Sequence, residues 1–289
     1  MSTRMSTRVI TQLVRATEVT EGAGVIVHRT IGTPPRRHLD PFLMLDHFSS
    51  DDPGDYIAGF PDHPHRGFIT LTYMLDGHMR HRDSMGNEGD LRTGGAQWMK
   101  AASGIIHSEM PQQSNGLMRG FQLWVNLPGA QKMSDPAYQE VAPETIPVVG
   151  AEGVQVRVLA GGYADQRGPV QDPNTDVHFL DVALQPGAHI AHTLAPDVAA
   201  FLYPFEGALS IAEEAVPQHH LAVLAPGRDL AIHAGAEGTR FLLVSGRPLG
   251  EPIVQYGPFV MNTREDVEQA MEDYRNQRLV RSRAEVVEK

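Results

Sequence analysis

The chain has 289 residues, 41% apolar and 20% charged, which suits about two soluble globular domains. A formal charge of −11 without a dense Lys/Arg run speaks against direct nucleic-acid binding, because counterion release needs a basic face. The absence of cysteine excludes disulfides, thiol nucleophiles and iron–sulfur ligation, so any metal must be held by nitrogen and oxygen donors.

The N-terminal Met1-Ser-Thr-Arg repeats at once as Met5-Ser-Thr-Arg8 and lacks the apolar stretch of a secretory signal. No run of about 18 apolar residues follows, so no membrane span is expected. Together with the missing cysteines, this leads us to expect a cytoplasmic location. The 28 glycines and 21 prolines punctuate short apolar runs, the pattern of a turn-rich all-β chain.

The first chemically informative stretch is Phe60-Pro-Asp-His63-Pro-His65-Arg66-Gly67. Residues i and i+2 of a strand point to one face, so His63 and His65 can aim at one point. Arg66 is expected either to orient a polar group near that point or to form a surface salt bridge. Phe68 to Leu75 is rich in β-branched and aromatic residues and reads as a strand. Asp76-Gly77 then reads as a tight hairpin turn into a strand from His78 to Asp83. His78 and His81 are taken as surface residues of that strand. Met85 to Gly89 forms another turn, and Leu91 to Met99 leads to Gly104-Ile-Ile-His107-Ser-Glu109. Here again two metal-competent side chains lie two apart. If the two segments face each other across a barrel, His63, His65, His107 and Glu109 form a cage of three imidazoles and one carboxylate. Imidazole suits iron, copper, nickel or zinc, and the carboxylate adds a hard oxygen donor.

Met118 to Leu127 reads as a further strand, with Trp98, Met99, Phe121 and Trp124 expected in the core. The segment from Gly129 to Glu152, with Pro136, Pro143 and Pro147, is the best linker candidate. A second strand-rich half echoes the first: Leu202-Tyr-Pro-Phe-Glu-Gly207 resembles Thr72-Tyr-Met-Leu-Asp-Gly77. Overlaying the halves puts Thr193 and Ala195 where His63 and His65 stand, and Leu230 and Ile232 where His107 and Glu109 stand. Those side chains cannot ligate, so the second barrel is expected to carry no metal. Thr263-Arg-Glu-Asp266 resembles a capping box, and Val267, Ala270, Met271 and Tyr274 follow at helical spacing. One amphipathic helix is expected over 263–278.

Phe60-Pro-Asp-His-Pro-His-Arg-Gly67 and Gly104-Ile-Ile-His-Ser-Glu-Met-Pro111, with Asp40-Pro-Phe-Leu-Met-Leu-Asp-His47 and Pro252 to Thr263, resemble the pirin family of the cupin superfamily. The resemblance implies an all-β fold of two tandem cupin barrels (double-stranded β-helix, or jelly-roll) with a C-terminal α-helix. We expect a metal-binding barrel over 1–135, a linker over 136–152 and a metal-free barrel over 153–289. The resemblance also implies His63, His65, His107 and Glu109 as ligands of one divalent ion. Fe(II) is the first choice, with Mn, Ni, Cu or Zn as alternatives. It implies one of two behaviours. One is quercetin 2,3-dioxygenase-like cleavage of a flavonol, with Glu109 also acting as general base. The other is an iron-dependent regulatory role through a protein partner, a transcription factor or a metabolic enzyme. One position departs from the family: Ile69 stands where a glutamate usually follows the phenylalanine of the first motif.

Overall fold

The computed structural model describes residues 7–281. The repeated Met-Ser-Thr-Arg lies almost wholly outside the described residues. Among the described residues the chain is β or irregular except for three short 3-10 turns and one α-helix, Arg264–Arg275, and it divides into two compact units.

The first unit comprises Glu18–Gly32, Phe42–Pro143 and the described chain from Leu249 onward. Its larger sheet has seven strands in the order Ala137–Val141, Ala96–Lys100, Phe68–Asp76, Met118–Asn126, Phe42–Ser50, Val25–Ile31 and Thr17–Glu21. Its smaller sheet has four, in the order Phe60–His65, Ile105–Pro111, His78–Asp83 and Glu88–Arg92. Both metal-competent segments lie in the smaller sheet as antiparallel neighbours, with His107 directly opposite His63. Side chains of the two sheets meet between them: Gln97 and Thr72 of the larger sheet both donate to Glu109 of the smaller one. Val27, Phe48, Met74, Met79, Leu91 and Met118 fill the interior beside this contact.

The Asp76-Gly77 hairpin is not formed. Phe68–Asp76 pairs within the larger sheet and His78–Asp83 within the smaller one, so the chain turns a corner from sheet to sheet there. The Asp-Gly signal marks a turn but cannot say which partners the flanking strands will find. The hairpin that does form joins His78–Asp83 to Glu88–Arg92.

The second unit comprises the described N-terminal residues through Thr17, Thr33–Pro41 and Glu144–Pro248. Val156, Leu180, Val182, Leu202, Leu209, Phe241 and Leu243 lead its core. Ile10–Arg15 pairs antiparallel with His220–Leu224, so the first described strand belongs to this unit. The contacts therefore divide the chain differently from the contiguous boundaries expected at 135 and 153. Each end crosses to complete the other unit, because a strand edge and an apolar helix stripe go where they find pairing and burial. Nor is 136–152 a bare linker. Ala137–Val141 closes the edge of the larger sheet on Ala96–Lys100, and Val148–Ala151 pairs with Val154–Ala160 in the second unit.

The C-terminal helix packs on Phe259–Met261 of the first unit. Its cap is the expected one: the Thr263 hydroxyl accepts from the Asp266 amide at 3.1 Å, an interaction worth about 1 kcal/mol. Val267 and Ala270 are its buried residues, and Ala270 packs with Phe259 and Leu279. Arg66 ties this end down and is neither a pocket residue nor a surface ion pair. Its guanidinium, 1% exposed, bridges the Ser103 carbonyl at 2.6 Å, Asp273 at 2.8 Å and the Leu279 carbonyl at 3.3 Å. Gly67 beside it has a φ of +95°, and a Cβ there would stand 1.9 Å from the Val260 carbonyl oxygen. Only glycine allows that approach. Buried Lys132 closes the same corner, donating to the carbonyls of Gly67 and Val260 and to Asn126.

Candidate metal centre

The strand pairing sets the geometry of the site. His63 and His65 share a face of Phe60–His65, and His107 stands across from His63 on Ile105–Pro111. The ring centroids lie 4.7 Å apart for His63–His65, 4.3 Å for His63–His107 and 4.8 Å for His65–His107. One ring nitrogen from each falls within 4.8 Å of the others. The pairing with Phe60–His65 is bulged between His107 and Glu109, which sets Glu109 opposite Phe60 there, while in the unbroken ladder to His78–Asp83 Glu109 stands opposite His81. Glu109 therefore groups with His81 and His107 rather than with His63 and His65, and His107 belongs to both sets.

His81 is the residue that sequence reasoning misplaced. It is 1% exposed, against a surface expectation. His78 does sit at the surface, paired with Asp90. The alternation of the strand carries the signal: Met79, His81 and Asp83 share one face, while His78, Arg80 and Arg82 share the other. The sequence shows that His78 and His81 share no face, but not which face of the strand turns inward. The Asp83 carboxylate accepts from His81 Nε2 at 3.2 Å, and Tyr138 stacks on the His81 ring with centroids 4.5 Å apart and planes 14° apart. Gly89, paired with His81 in register, makes room for that tyrosine: a Cβ would stand 1.8 Å from its hydroxyl oxygen.

Glu109 is buried, and its Oε1 accepts from Gln97 Nε2 and from Thr72 Oγ1 at 3.3 Å. Burial pushes its carboxyl above the ordinary range, opposed by His81, His63 and those two donors. Burial and the neighbouring imidazoles depress His107 and His65 well below the usual histidine range, which keeps both rings neutral and able to ligate. Asp83 is drawn down: its burial acts the other way, but hydrogen bonds from His81 and Asn87 outweigh it.

These residues fit a metal ion. His63 Nδ1 lies 2.8 Å from the Pro61 carbonyl and so carries the proton, leaving Nε2 with a bare lone pair 3.1 Å from His65 Nε2. Two imidazole nitrogens that share an ion at about 2.0–2.1 Å stand roughly 2.8–3.4 Å apart. His107 Nε2 is buried without any hydrogen-bond partner, a cost of about 1–3 kcal/mol that a coordinated cation removes. The donors are nitrogen and oxygen only, which suits a first-row transition ion and does not select one.

The cluster opens on a cavity of about 550 Å³ whose walls include His63, His65, Glu109, Thr72, Gln122 and Trp124. Trp124 is half-buried and forms a wall of this cavity rather than core; it stacks on Phe68 at 4.2 Å and meets His65 edge-on at 5.1 Å. Met99 and Phe121 are core residues as expected. The rim carries Arg29, which forms a two-pronged pair with Asp46 directly across the ladder and reaches Glu21 at 2.7 Å. Ile69 does not interrupt these walls. Strand alternation puts it on the face opposite Thr72, so the departure at this position removes no carboxylate from the cavity.

The second unit offers nothing equivalent at the overlaid positions. Leu230 and Ile232 are core residues, and Thr193 and Ala195 are exposed. It has a separate cavity of about 510 Å³ lined by Tyr163, His178 and His192 among others. Burial and the nearby His178 lower His192 from 6.5 to about 4. Because the folded value lies below the unfolded one, the unfolded chain binds more protons between pH 4 and 6.5. Stability is therefore fully present above pH 6.5 and is lost as pH falls toward 4. Urea unfolding at pH 5 and pH 7.5 should show a smaller difference for His192→Gln than for the wild type. Equal differences would refute this account of His192.

Comparison with known proteins agrees with this architecture. The pirin profile matches residues 24–125, and the profile of the pirin C-terminal cupin domain matches 179–280. A pirin-like protein of Caulobacter vibrioides is 45% identical over 276 residues, covering 95% of this chain and 100% of its own length. Human pirin is 41% identical over 277 residues, covering 94% of this chain and 93% of its own. The crystal structure of a quercetin 2,3-dioxygenase from Acinetobacter baumannii superposes with a TM-score of 0.88 at 30% identity, over 95% of this chain and 99% of that one. Among the described residues no helix is long and apolar enough to cross a membrane.

Proposed function

This chain belongs to the pirin family, with two cupin domains, and from that premise we propose that it is a metal-dependent dioxygenase cleaving a flavonol-like aromatic substrate with O2. The observation that carries the reading is the three-imidazole cluster at the wall of a cavity of about 550 Å³, a size within the usual range of small-molecule sites. The structural kinship with a quercetin 2,3-dioxygenase supports the choice of substrate class.

His63, His65 and His107 would hold the ion, with Glu109 completing the set, and Fe(II) is the proposed metal. Once bound, the ion supplies Lewis-acid polarisation and a template for the substrate oxygens. Trp124, Phe48 and Met44 offer an apolar slot for a flat ring system, while Gln122 and Thr72 present polar groups to its oxygens. Glu109 takes the proton of the flavonol 3-hydroxyl. A carboxylate fixed on a dication is a weak base. Gln97 and Thr72 hold Oε1 in place, and burial gives the carboxylate its raised proton affinity against the opposing pull of those two donors.

The test is oxygen uptake by metal-loaded protein presented with a panel of flavonols. Turnover should appear in the wild type and fall by about 100-fold or more in Glu109→Gln, the scale of a lost general base. A wild-type protein with full metal that takes up no oxygen with any flavonol would sink the enzymatic reading. A metal-dependent partner protein would then be the reading left.

A further inference from the structure

We infer that Asp83 and His81 act as a positioning pair for His107, fixing the ring tautomer that frees its Nε2 for the metal. The inference rests on the metal-binding reading above and extends it to residues that do not themselves touch the ion.

The chain of donors follows from counting hydrogens. The Asp83 side chain is buried and accepts at both oxygens: Oδ1 takes the amides of Met85 at 2.9 Å and Asn87 at 3.0 Å, and Oδ2 takes the Asn87 side-chain amide at 2.9 Å. A carboxylate so placed is an acceptor toward His81 as well, so His81 Nε2 carries the proton it shares at 3.2 Å. Metal ligation through His107 Nε2 needs that atom bare, so the ring proton sits on Nδ1, and the group facing His107 Nδ1 is His81 Nδ1 at 3.4 Å, placed to accept it while His81 Nε2 is turned to Asp83. His107 Nε2 is left bare, buried and without a partner. His63 reaches the same tautomer by donating Nδ1–H to its own strand, at the Pro61 carbonyl.

His81 is therefore not a ligand, although its position beside His107 and Glu109 would allow one. Both of its nitrogens are committed, one to Asp83 and one to His107. Tyr138 holds the ring plane by stacking and also donates to Gln97 Oε1 at 3.2 Å, and Gln97 in turn holds Glu109. One tyrosine thus braces the supports of both His107 and Glu109. Supports of this kind typically contribute 10–100-fold in metal affinity.

Co(II) binding tests the inference. His81→Leu should weaken the affinity by about 10–100-fold. His81→Asn places an amide oxygen near the position of Nδ1, accepts the same proton and should recover most of the loss. The paramagnetic NMR spectrum of the wild-type Co(II) protein should show a shifted His107 N–H proton that exchanges slowly with solvent. Folded His81→Leu with wild-type affinity, or His81→Asn as weak as His81→Leu, would overturn the proposal. So would a fourth coordinated imidazole, counted by pulsed EPR on the Cu(II) protein and lost in His81→Asn. If His81→Leu does not fold, the wild-type spectrum decides, and absence of the protected His107 proton refutes the relay. A wild-type protein that takes up no cobalt would instead refute the metal reading itself.

Discussion

His107→Ala should reduce bound metal from one ion per chain to background while leaving the chain folded. His107 is the residue that both candidate ligand groups share, so its loss cannot be made good by regrouping the others. Truncation removes the buried Nε2 and leaves His63 and His65 as a bare pair on one strand. The affinity should fall by more than the 10–100-fold typical of an outer support. Oxygen uptake with a flavonol should fall with it. His78→Ala is the control: that ring is paired with Asp90 on the outer face of its strand, so metal content should not change. The measurement is metal analysis after purification without chelators, alongside circular dichroism. Stoichiometric metal in folded His107→Ala would remove the basis for placing the ion among these imidazoles.

Arg66→Met should cost about 3–5 kcal/mol of stability, the scale for breaking a buried ion pair by deleting one partner. The guanidinium is fully buried and is the common partner of the Ser103 carbonyl, Asp273 and the Leu279 carbonyl. Methionine fills much of the stem volume, so the loss reports the head group rather than a cavity. Three acceptors would lose their donor, two of them on the C-terminal segment. Cleavage by protease after the helix, around Asn276 to Leu279, should accelerate before global unfolding, because that segment depends on this contact. Asp273→Asn should also be costly, because it leaves the buried guanidinium without its counter-charge even though asparagine keeps an oxygen acceptor. Equal denaturation midpoints for Arg66→Met and wild type would refute the assignment.

Much of the site was legible because strand alternation is a local rule. His63 with His65, and His107 with Glu109, follow from spacing alone, and the structure places His107 opposite His63. His81 follows the same rule, with Met79 and Asp83 on its face, but alternation alone does not say which face of the strand turns inward. Two features lay beyond any local rule. The pairing of Ile105–Pro111 with His78–Asp83 sets Glu109 opposite His81, and no residue type announces it. Trp124 reads as core from its size, yet it borders a cavity whose other walls come from distant parts of the chain.

The sequence by itself determined the β character, the capped C-terminal helix, the restriction to nitrogen and oxygen donors and the imidazoles of the candidate cluster. Each depends on residue type and on spacing over a few positions. Only the tertiary structure decided that the two ends of the chain cross to opposite units, that Asp76-Gly77 turns a corner between sheets, and that Asp83 and His81 stand behind His107. Those outcomes depend on which strand edges and buried polar groups find partners far along the chain, and pairing across such distances is settled by competition among whole surfaces rather than by any short motif.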